Sequence, residues 1–302
     1  MSPAMSPTMS STSSSTVLST VLSPVLSPVL SPRSTPWSVG LSRTLRISRE
    51  RAKWELRLFF RNRQAVGFTL FFPLMLLILF GAIFGDTVEG TTLKFSQVLV
   101  AGIIGSGASS VAFMNLAIGI STERDEGGLK RLAGTPMPKA SYFLGKIGLV
   151  VVTCIIEVTL LLLAGVVMFN LSLPNDFRHW LTFAWVLGLG VIDFSLLGIA
   201  LAGFIKNAKA APAVVNIPFV GLSFISGVYV PFWQLPAGLR TFASLFPLKW
   251  MAQGFRSVFL PDSFLIREPS HSWQHGQMAM ALGIWAVVGT ILCARTFHWT
   301  KE

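Results

Sequence analysis

The chain has 302 residues, of which 52% are hydrophobic and only 12% are charged, and its formal net charge is +11. Soluble domains carry about a quarter charged residues, and several uncharged apolar runs here reach about 20 residues, the length that crosses a bilayer as a helix. The composition excludes an ordinary soluble protein and predicts an all-α membrane protein. The positive charge does not indicate a nucleic-acid partner, because the basic residues lie mostly between the apolar runs.

Residues 1–43 are rich in Ser, Thr and Pro and contain a four-residue repeat that ends in Val-Leu. Regularly spaced prolines remove backbone donors and prevent a helix, so this segment is predicted to be a disordered cytoplasmic tail. A signal peptide is the alternative. It is disfavoured because no basic region precedes an unbroken apolar stretch.

Residues 45–61 have the pattern of a basic amphipathic helix. Such a helix directly before a membrane span is typical of one that lies along the cytoplasmic leaflet, and an ordinary cytoplasmic helix is the alternative. The residues assigned to the polar face and its flank are Arg46, Arg49, Lys53, Trp54 and Arg57.

Six apolar runs follow and are predicted to be transmembrane helices. Their approximate bounds are 66–84, 98–120, 147–169, 180–205, 211–230 and 278–294. If both termini are cytoplasmic, eighteen Lys and Arg residues lie inside and six lie outside. This asymmetry predicts a multi-pass plasma-membrane protein with both termini in the cytoplasm.

Residues 231–260, between the fifth and sixth runs, are too apolar for a free loop and too often interrupted by prolines and charges for a span. Short helices that enter the outer leaflet or lie on it satisfy both observations. We therefore predict a re-entrant or interfacial segment here.

The loop after the second run contains acidic residues, then basic residues, then prolines. We predict that residues 123–132 form one short helix whose acidic first turn and later basic residues match the helix dipole. Two leucines three residues apart would give it an apolar contact face, and the alternative is a solvated charged loop. The residues concerned are Glu123, Asp125, Glu126, Gly127, Leu129, Lys130, Arg131, Leu132 and Pro136.

Three stretches carry a family resemblance. Residues 123–138 read E-R-D-E-G-G-L-K-R-L-A-G-T-P-M-P, which is similar to the E-R-E-x-G-T-L-(K/R)-R-L-x-x-(T/S)-P segment of type-2 ABC exporter permeases, in the branch of daunorubicin-resistance and nodulation-factor exporters. Residues 226–236 resemble the family's S-G-x-x-x-P-x-x-x-L-P element. Residues 246–250 resemble its P-L-(T/x)-(Y/W) element. The likeness covers about residues 47–295, with Gly128 where the family often has Thr.

The resemblance implies an export permease that pairs with a second permease, as a homodimer or a pseudo-dimer, and with separate ATPase subunits. It also implies that the 123–136 loop couples to the ATPase. No G-x-x-x-x-G-K-[ST] motif occurs in the sequence, so we expect no cofactor in this chain, with ATP and Mg²⁺ bound by the partner subunit.

No catalytic constellation is evident, and we expect no metal site. His271 and His275 are four residues apart but lack the glutamate of a H-E-x-x-H motif. Glu157 and Asp193 lie near the middle of spans, where charge is costly. They could contribute to a substrate path or a proton relay, or hydrogen-bond across helices to groups such as Asn115, and the second interpretation is favoured.

These patterns predict a permease that exports an amphipathic or lipophilic compound, such as a drug or antibiotic. Export of a lipid-linked glycan is the alternative within the same class. An ion-coupled secondary transporter is the alternative from another class, although no internal repeat supports it.

Overall fold

The computed structural model describes residues 41–91 and 93–297. In that part of the chain every regular element is a helix, and six helices are long and apolar enough to cross a membrane. The predicted all-α membrane protein with six spans is therefore confirmed. The predicted tail lies outside the described residues, apart from its last three, which begin the first helix.

We number ten helices along the described residues. The six span candidates are α2, α3, α5, α6, α7 and α10. The bounds are α1 Leu41–Arg61, α2 Arg63–Ile83, α3 Phe95–Asp125, α4 Gly128–Ala133, α5 Lys139–Phe169, α6 Phe177–Phe204, α7 Ala208–Ile225, α8 Ala237–Ala243, α9 Pro247–Phe259 and α10 His275–Thr296.

Most spans extend beyond the predicted apolar runs, because the helices continue into the flanking polar residues. The fifth span is the exception, since α7 ends at Ile225 rather than at residue 230. Gly227 follows with a φ of +80°, in the left-handed region that glycine tolerates best. A Cβ at this position would lie 2.9 Å from the Cβ of Phe232. α7 therefore ends just before Gly227, where the chain turns sharply and packs against Phe232.

The central element is α3, which contacts α2, α5, α6, α7 and α9. Its sequence is rich in Gly, Ala and Ser, and small residues allow helices in a membrane to approach closely. The contact with α6 shows this, because a Cβ on Gly198 would lie 2.6 Å from the carbonyl oxygen of Phe113. In contrast, α2, α7 and α10 expose large apolar side chains such as Phe71, Ile217 and Met280. Those faces suit contact with lipid.

Two short helices, α8 and α9, occupy the segment between the fifth and sixth spans, in agreement with the predicted short helices. All thirteen residues of α9 are buried, against α3, α6 and α10. The position of these helices relative to the bilayer stays a prediction.

The connectivity places the α3–α5 loop and the α7–α10 segment on opposite sides of the membrane, because three crossings separate them. Thr135 and Ser263 are exposed in these two segments. Cysteines introduced at Thr135 should react with an impermeant maleimide only from the cytoplasm, and those at Ser263 only from outside. The unmodified chain, with Cys154 and Cys293, is the control for background labelling. Labelling of Thr135→Cys from outside would invert the predicted orientation.

Candidate functional site

The loop predicted to be one short helix is divided between two helices. α3 continues to Asp125, and Gly127, with a φ of +73°, breaks the chain direction before α4 begins. A left-handed glycine just after a helix is a common terminator. The predicted acidic first turn is therefore wrong, because Glu123 and Asp125 lie in the last turn of α3. α4 itself runs only from Gly128 to Ala133, and Gly134 caps its end.

Leu129 is fully buried and belongs to the chain's own hydrophobic core, while Leu132 packs against that core half-buried. These leucines anchor α4 to its own bundle, in contrast to the predicted contact face for a partner. Other residues of the loop are exposed and form the surface that a partner could contact. Among them are Lys130, Arg131, Ala133, Thr135 and Pro136.

Glu123 is the centre of a partly buried charge cluster that joins three helices. Its Oε1 accepts hydrogen bonds from Arg51 Nη2 on α1 at 2.9 Å and from Lys146 Nζ on α5 at 2.8 Å. Its Oε2 accepts one from the Tyr142 hydroxyl at 2.8 Å. A carboxylate with three donors from two neighbouring helices fixes their relative positions.

Glu55 of α1 completes the cluster. It lies 2.7 Å from Arg51 Nη2 and 2.9 Å from Lys146 Nζ. Burial raises the pKa of Glu55, although the ammonium of Lys146 opposes this shift. With two cations and two carboxylates the charges balance, as a buried ionic group requires. We call Arg51, Glu55, Glu123, Tyr142 and Lys146 the charge cluster.

Glycine makes the approach of α1 to α5 possible. A Cβ on Gly145 would lie 2.4 Å from Arg51 Cγ, and one on Gly148 would lie 2.8 Å from the Cβ of Ala52. Larger residues at these two positions would separate α1 from α5 and pull the charge cluster apart.

The two residues after Glu123 bind two further spans. The Arg124 guanidinium donates to the carbonyl oxygen of Ile205, at the end of α6. Asp125 Oδ2 accepts from the backbone N–H of Ala208, at the start of α7, at 3.2 Å. The last turn of α3 is thus connected to α1, α5, α6 and α7, directly before the loop that carries α4.

The basic residues predicted on α1 are exposed, as expected of an amphipathic helix. Trp54 is half-exposed, and the guanidinium of Arg51 lies 4.5 Å from the centre of its ring. The interfacial position of α1 stays a prediction. The basic residues predicted on the polar face are Arg46, Arg49, Lys53 and Arg57.

A cavity of about 670 Å³ lies beside the charge cluster, between α1, α2, α3 and α7. Its walls are mostly apolar, and Glu55, Glu123 and Lys146 line one part of it. Asn115 lines the cavity from α3 and Asn216 from α7. The Nδ2 atom of Asn115 and the Oδ1 atom of Asn216 are buried and have no hydrogen-bond partner in the described chain. Unpaired amides in an apolar wall can orient a bound molecule.

Glu157 and Asp193 are fully buried, and within the described residues their carboxyl oxygens have no hydrogen-bond partner. The favoured interhelical hydrogen bonds are therefore not found among the described residues. Glu157 packs against Gly107, whose Cβ would lie 2.6 Å from its Oε1. Gly107 lines the cavity, so Glu157 lies directly behind the cavity wall, whereas Asp193 is not among the lining residues.

The two histidines do not form a metal site together. His275 Nε2 lies 3.1 Å from the Ser257 hydroxyl, and His271 Nδ1 lies 3.3 Å from the carbonyl oxygen of Leu265. Among the described residues no group of three His, Cys, Asp or Glu side chains could hold a metal ion.

Sequence reasoning named Glu123 but missed the other four members of the charge cluster, which are Arg51, Glu55, Tyr142 and Lys146. Glu55 is one of two acidic residues in the otherwise basic α1, and Lys146 stands at the edge of an apolar run. Each is ordinary for a helix that ends at a membrane surface. Their pairing depends on the contact between α1 and α5, which the sequence pattern does not reveal.

Comparison with known proteins finds several sequence relatives. The chain is 28% identical over 195 residues to ycf38 of Porphyra purpurea, a protein named by inference as a transport permease. The matched region covers 62% of this chain and 65% of ycf38, slightly less than two thirds of that relative. It is 22% identical over 221 residues to YvfS of Bacillus subtilis, named in the same way, with 73% of this chain and 86% of YvfS covered. It is 20% identical over 149 residues to YbhR of Escherichia coli K12, named by inference as a multidrug ABC transporter permease, with 49% and 40% covered.

A family model described as "ABC-2 type transporter" matches residues 52–260. That range contains about half of α1, the first five spans, α4, α8 and α9, and it includes every member of the charge cluster except Arg51. It covers more than half of the chain, so this chain belongs to the ABC-2 type transporter family.

Proposed function

We propose that this chain is the permease subunit of an ATP-driven exporter in the plasma membrane. A separate ATPase subunit binds ATP and Mg²⁺, and a second permease, either another copy or a related chain, completes the translocation unit. The family assignment supports a permease role. The sequence supports a separate ATPase, since it has no phosphate-binding loop.

The observation that carries this proposal is the link between α4 and the spans. α4 presents exposed Lys130, Arg131 and Ala133 at one end of the bundle, and it directly follows the last turn of α3. That turn is bonded to four other helices through side chains of residues 123–125. A partner that moves α4 would therefore displace several spans together, because packed helices bonded in this way shift as units.

The cavity supports the proposed substrate class. Its walls are mostly apolar and have a few polar groups, among them the unpaired amides of Asn115 and Asn216. Such a site suits an amphipathic or lipophilic compound, including drug-like and antibiotic molecules. A lipid-linked glycan is the alternative within this class.

An ion-coupled secondary transporter is the remaining alternative. The specific observation that favours it is the pair of unpartnered carboxyl groups of Glu157 and Asp193 within spans. These groups lie on different helices, and only Glu157 adjoins the cavity.

The first test concerns the energy source. The purified chain should hydrolyse no ATP, because it has no phosphate-binding loop. Vesicles that also contain a co-purified ATPase should transport a lipophilic dye only when ATP is present, and a proton gradient alone should not support transport. ATP hydrolysis by the chain by itself, or transport driven by the gradient alone, would contradict the proposal.

The second test concerns the surface of α4. Lys130→Glu should weaken pull-down of the ATPase by about tenfold, since reversing a charge at an interface commonly costs about 1–2 kcal/mol. The folded fraction should not change, because Lys130 is exposed. Arg178→Glu, an exposed reversal on the opposite side of the membrane, is the matched control and should leave pull-down unchanged. Equal pull-down by both variants would show that α4 does not contact the ATPase.

The third test concerns the charge cluster. Glu123→Gln should lower the free energy of unfolding by about 3 kcal/mol, because it leaves Arg51 and Lys146 with only one carboxylate. Adding Lys146→Met should restore part of the loss, since the charges then balance again. Glu50→Gln, at an exposed position on α1, should change stability by less than about 0.5 kcal/mol. Thermal unfolding in detergent measures all three variants, and a double variant no more stable than Glu123→Gln would rule out charge balance as the cause.

A further inference from the structure

A second pocket, lined mainly by polar residues, lies at the end of the bundle opposite α4. It has a volume of about 290 Å³ and is formed by α8, the first turns of α9 and the chain that leads to α10. The proposed function makes no use of it. The lining residues that matter here are Phe232, Arg240, Lys249, Gln253, Glu268 and Gln274.

Lys249 is a buried basic residue that lines this pocket. Only 3% of the residue is exposed, and Nζ donates a hydrogen bond to Gln253 Oε1 at 2.7 Å. The same atom lies 3.4 Å from the centre of the Trp250 ring and 5.4 Å from that of Phe232. Within the described residues Lys249 forms no ion pair. An ammonium has three N–H donors, so most of its donor capacity remains for another acceptor.

The charged groups around Lys249 leave an excess of positive charge. Arg256 follows two turns later on α9, and its Nε donates to Glu268 Oε1 at 2.8 Å. Its Nη1 donates to the Gly227 carbonyl oxygen at 3.2 Å, and its Nη2 is buried with no hydrogen-bond partner in the described chain. Half-buried Arg240 lines the pocket as a third cation. One carboxylate therefore faces three basic groups.

The backbone adds to this excess. Lys249 lies in the first turn of α9, a helix of thirteen residues, and the N-terminal end of a helix favours negative rather than positive charge. Burial and the guanidinium of Arg256 lower the pKa of Lys249 to about 7, against the opposite effect of Glu268. A bound anion would remove this mismatch, because it would accept the free N–H donors and restore charge balance.

We infer that this pocket binds a phosphate group, with Lys249 as its principal ligand and Arg240 at its rim. A phosphate offers several acceptor oxygens to basic donors, and the pocket has room for a free phosphate ion or a phospholipid headgroup. The inference is independent of the proposed function, because the pocket is distant from α4 and does not involve the ATPase.

The test uses the full chain, delipidated in dodecyl maltoside, a detergent without phosphate. Thermal unfolding is followed with increasing sodium phosphate, against sodium chloride at matched ionic strength. A second titration uses short-chain phosphatidylglycerol, against diacylglycerol of the same chain length. Either phosphate compound should raise the unfolding temperature with saturation, because a ligand of the folded state stabilises it. Stabilisation by inorganic phosphate indicates a free anion, and stabilisation by phosphatidylglycerol alone indicates a lipid headgroup.

Substitutions of the lining residues test whether the stabilisation by phosphate arises in this pocket. Lys249→Met should raise the half-saturating concentration by about tenfold or more, the usual consequence of losing a charge-assisted hydrogen bond. Lys249→Arg should restore binding to within about threefold, because it keeps the charge. Lys94→Met, which removes an exposed lysine on the same side of the membrane, is the matched control and should have no effect.

Arg240→Met keeps the proposal testable if Lys249→Met does not fold. Arg240 is half-buried at the pocket rim, so its removal should weaken binding by about threefold without loss of the fold. The inference is overturned if neither phosphate nor phosphatidylglycerol stabilises the unaltered chain more than its control does. It is also overturned if Lys249→Met, or Arg240→Met in its place, binds as tightly as the unaltered chain.

Discussion

The structure depends on one carboxylate, that of Glu123, at the point where the central helix α3 leaves the bundle. A carboxylate in this partly buried position is stable only with cationic partners, and these come from α1 and α5. The contact that supplies them requires glycine at 145 and 148. The side chains of Arg124 and Asp125 then attach the same turn to α6 and α7. The position of α4 follows from this turn, since only Glu126 and Gly127 separate the two helices.

The buried charged groups at the two ends of the bundle differ in their charge balance. In the charge cluster around Glu123 the cations and carboxylates balance, and most of their donors and acceptors are used. Around Lys249 the cations outnumber the carboxylate, and buried donors remain unpaired. A balanced cluster holds helices together, whereas an unbalanced one is stabilised by an added anion. The first cluster therefore accounts for the position of α4, whereas the second is the basis of the proposed phosphate site.

The carboxyl groups of Glu157 and Asp193 differ from both clusters, because within the described chain they have no partner at all. An ionised carboxylate near the middle of a span is costly, and both side chains accordingly face the interior of the bundle. Only Glu157 is close to the cavity, behind Gly107. The cavity beside it is largely apolar, and Gly107 stands between the carboxyl group of Glu157 and that cavity.

The sequence by itself determined the fold class, the six spans, the amphipathic α1 and the short helices before the last span. Each of these follows from the length and period of apolar runs, which reflect the thickness of the bilayer and the geometry of a helix. Only the tertiary structure decided that α3 continues to Asp125, that Leu129 is buried, and that Glu55 and Lys146 are partners of Glu123. Pairing of charges on different helices depends on which helices touch and how closely. Small residues such as glycine allow two helices to approach closely, because they have little or no side chain. The local sequence pattern does not show which helices will meet at these positions.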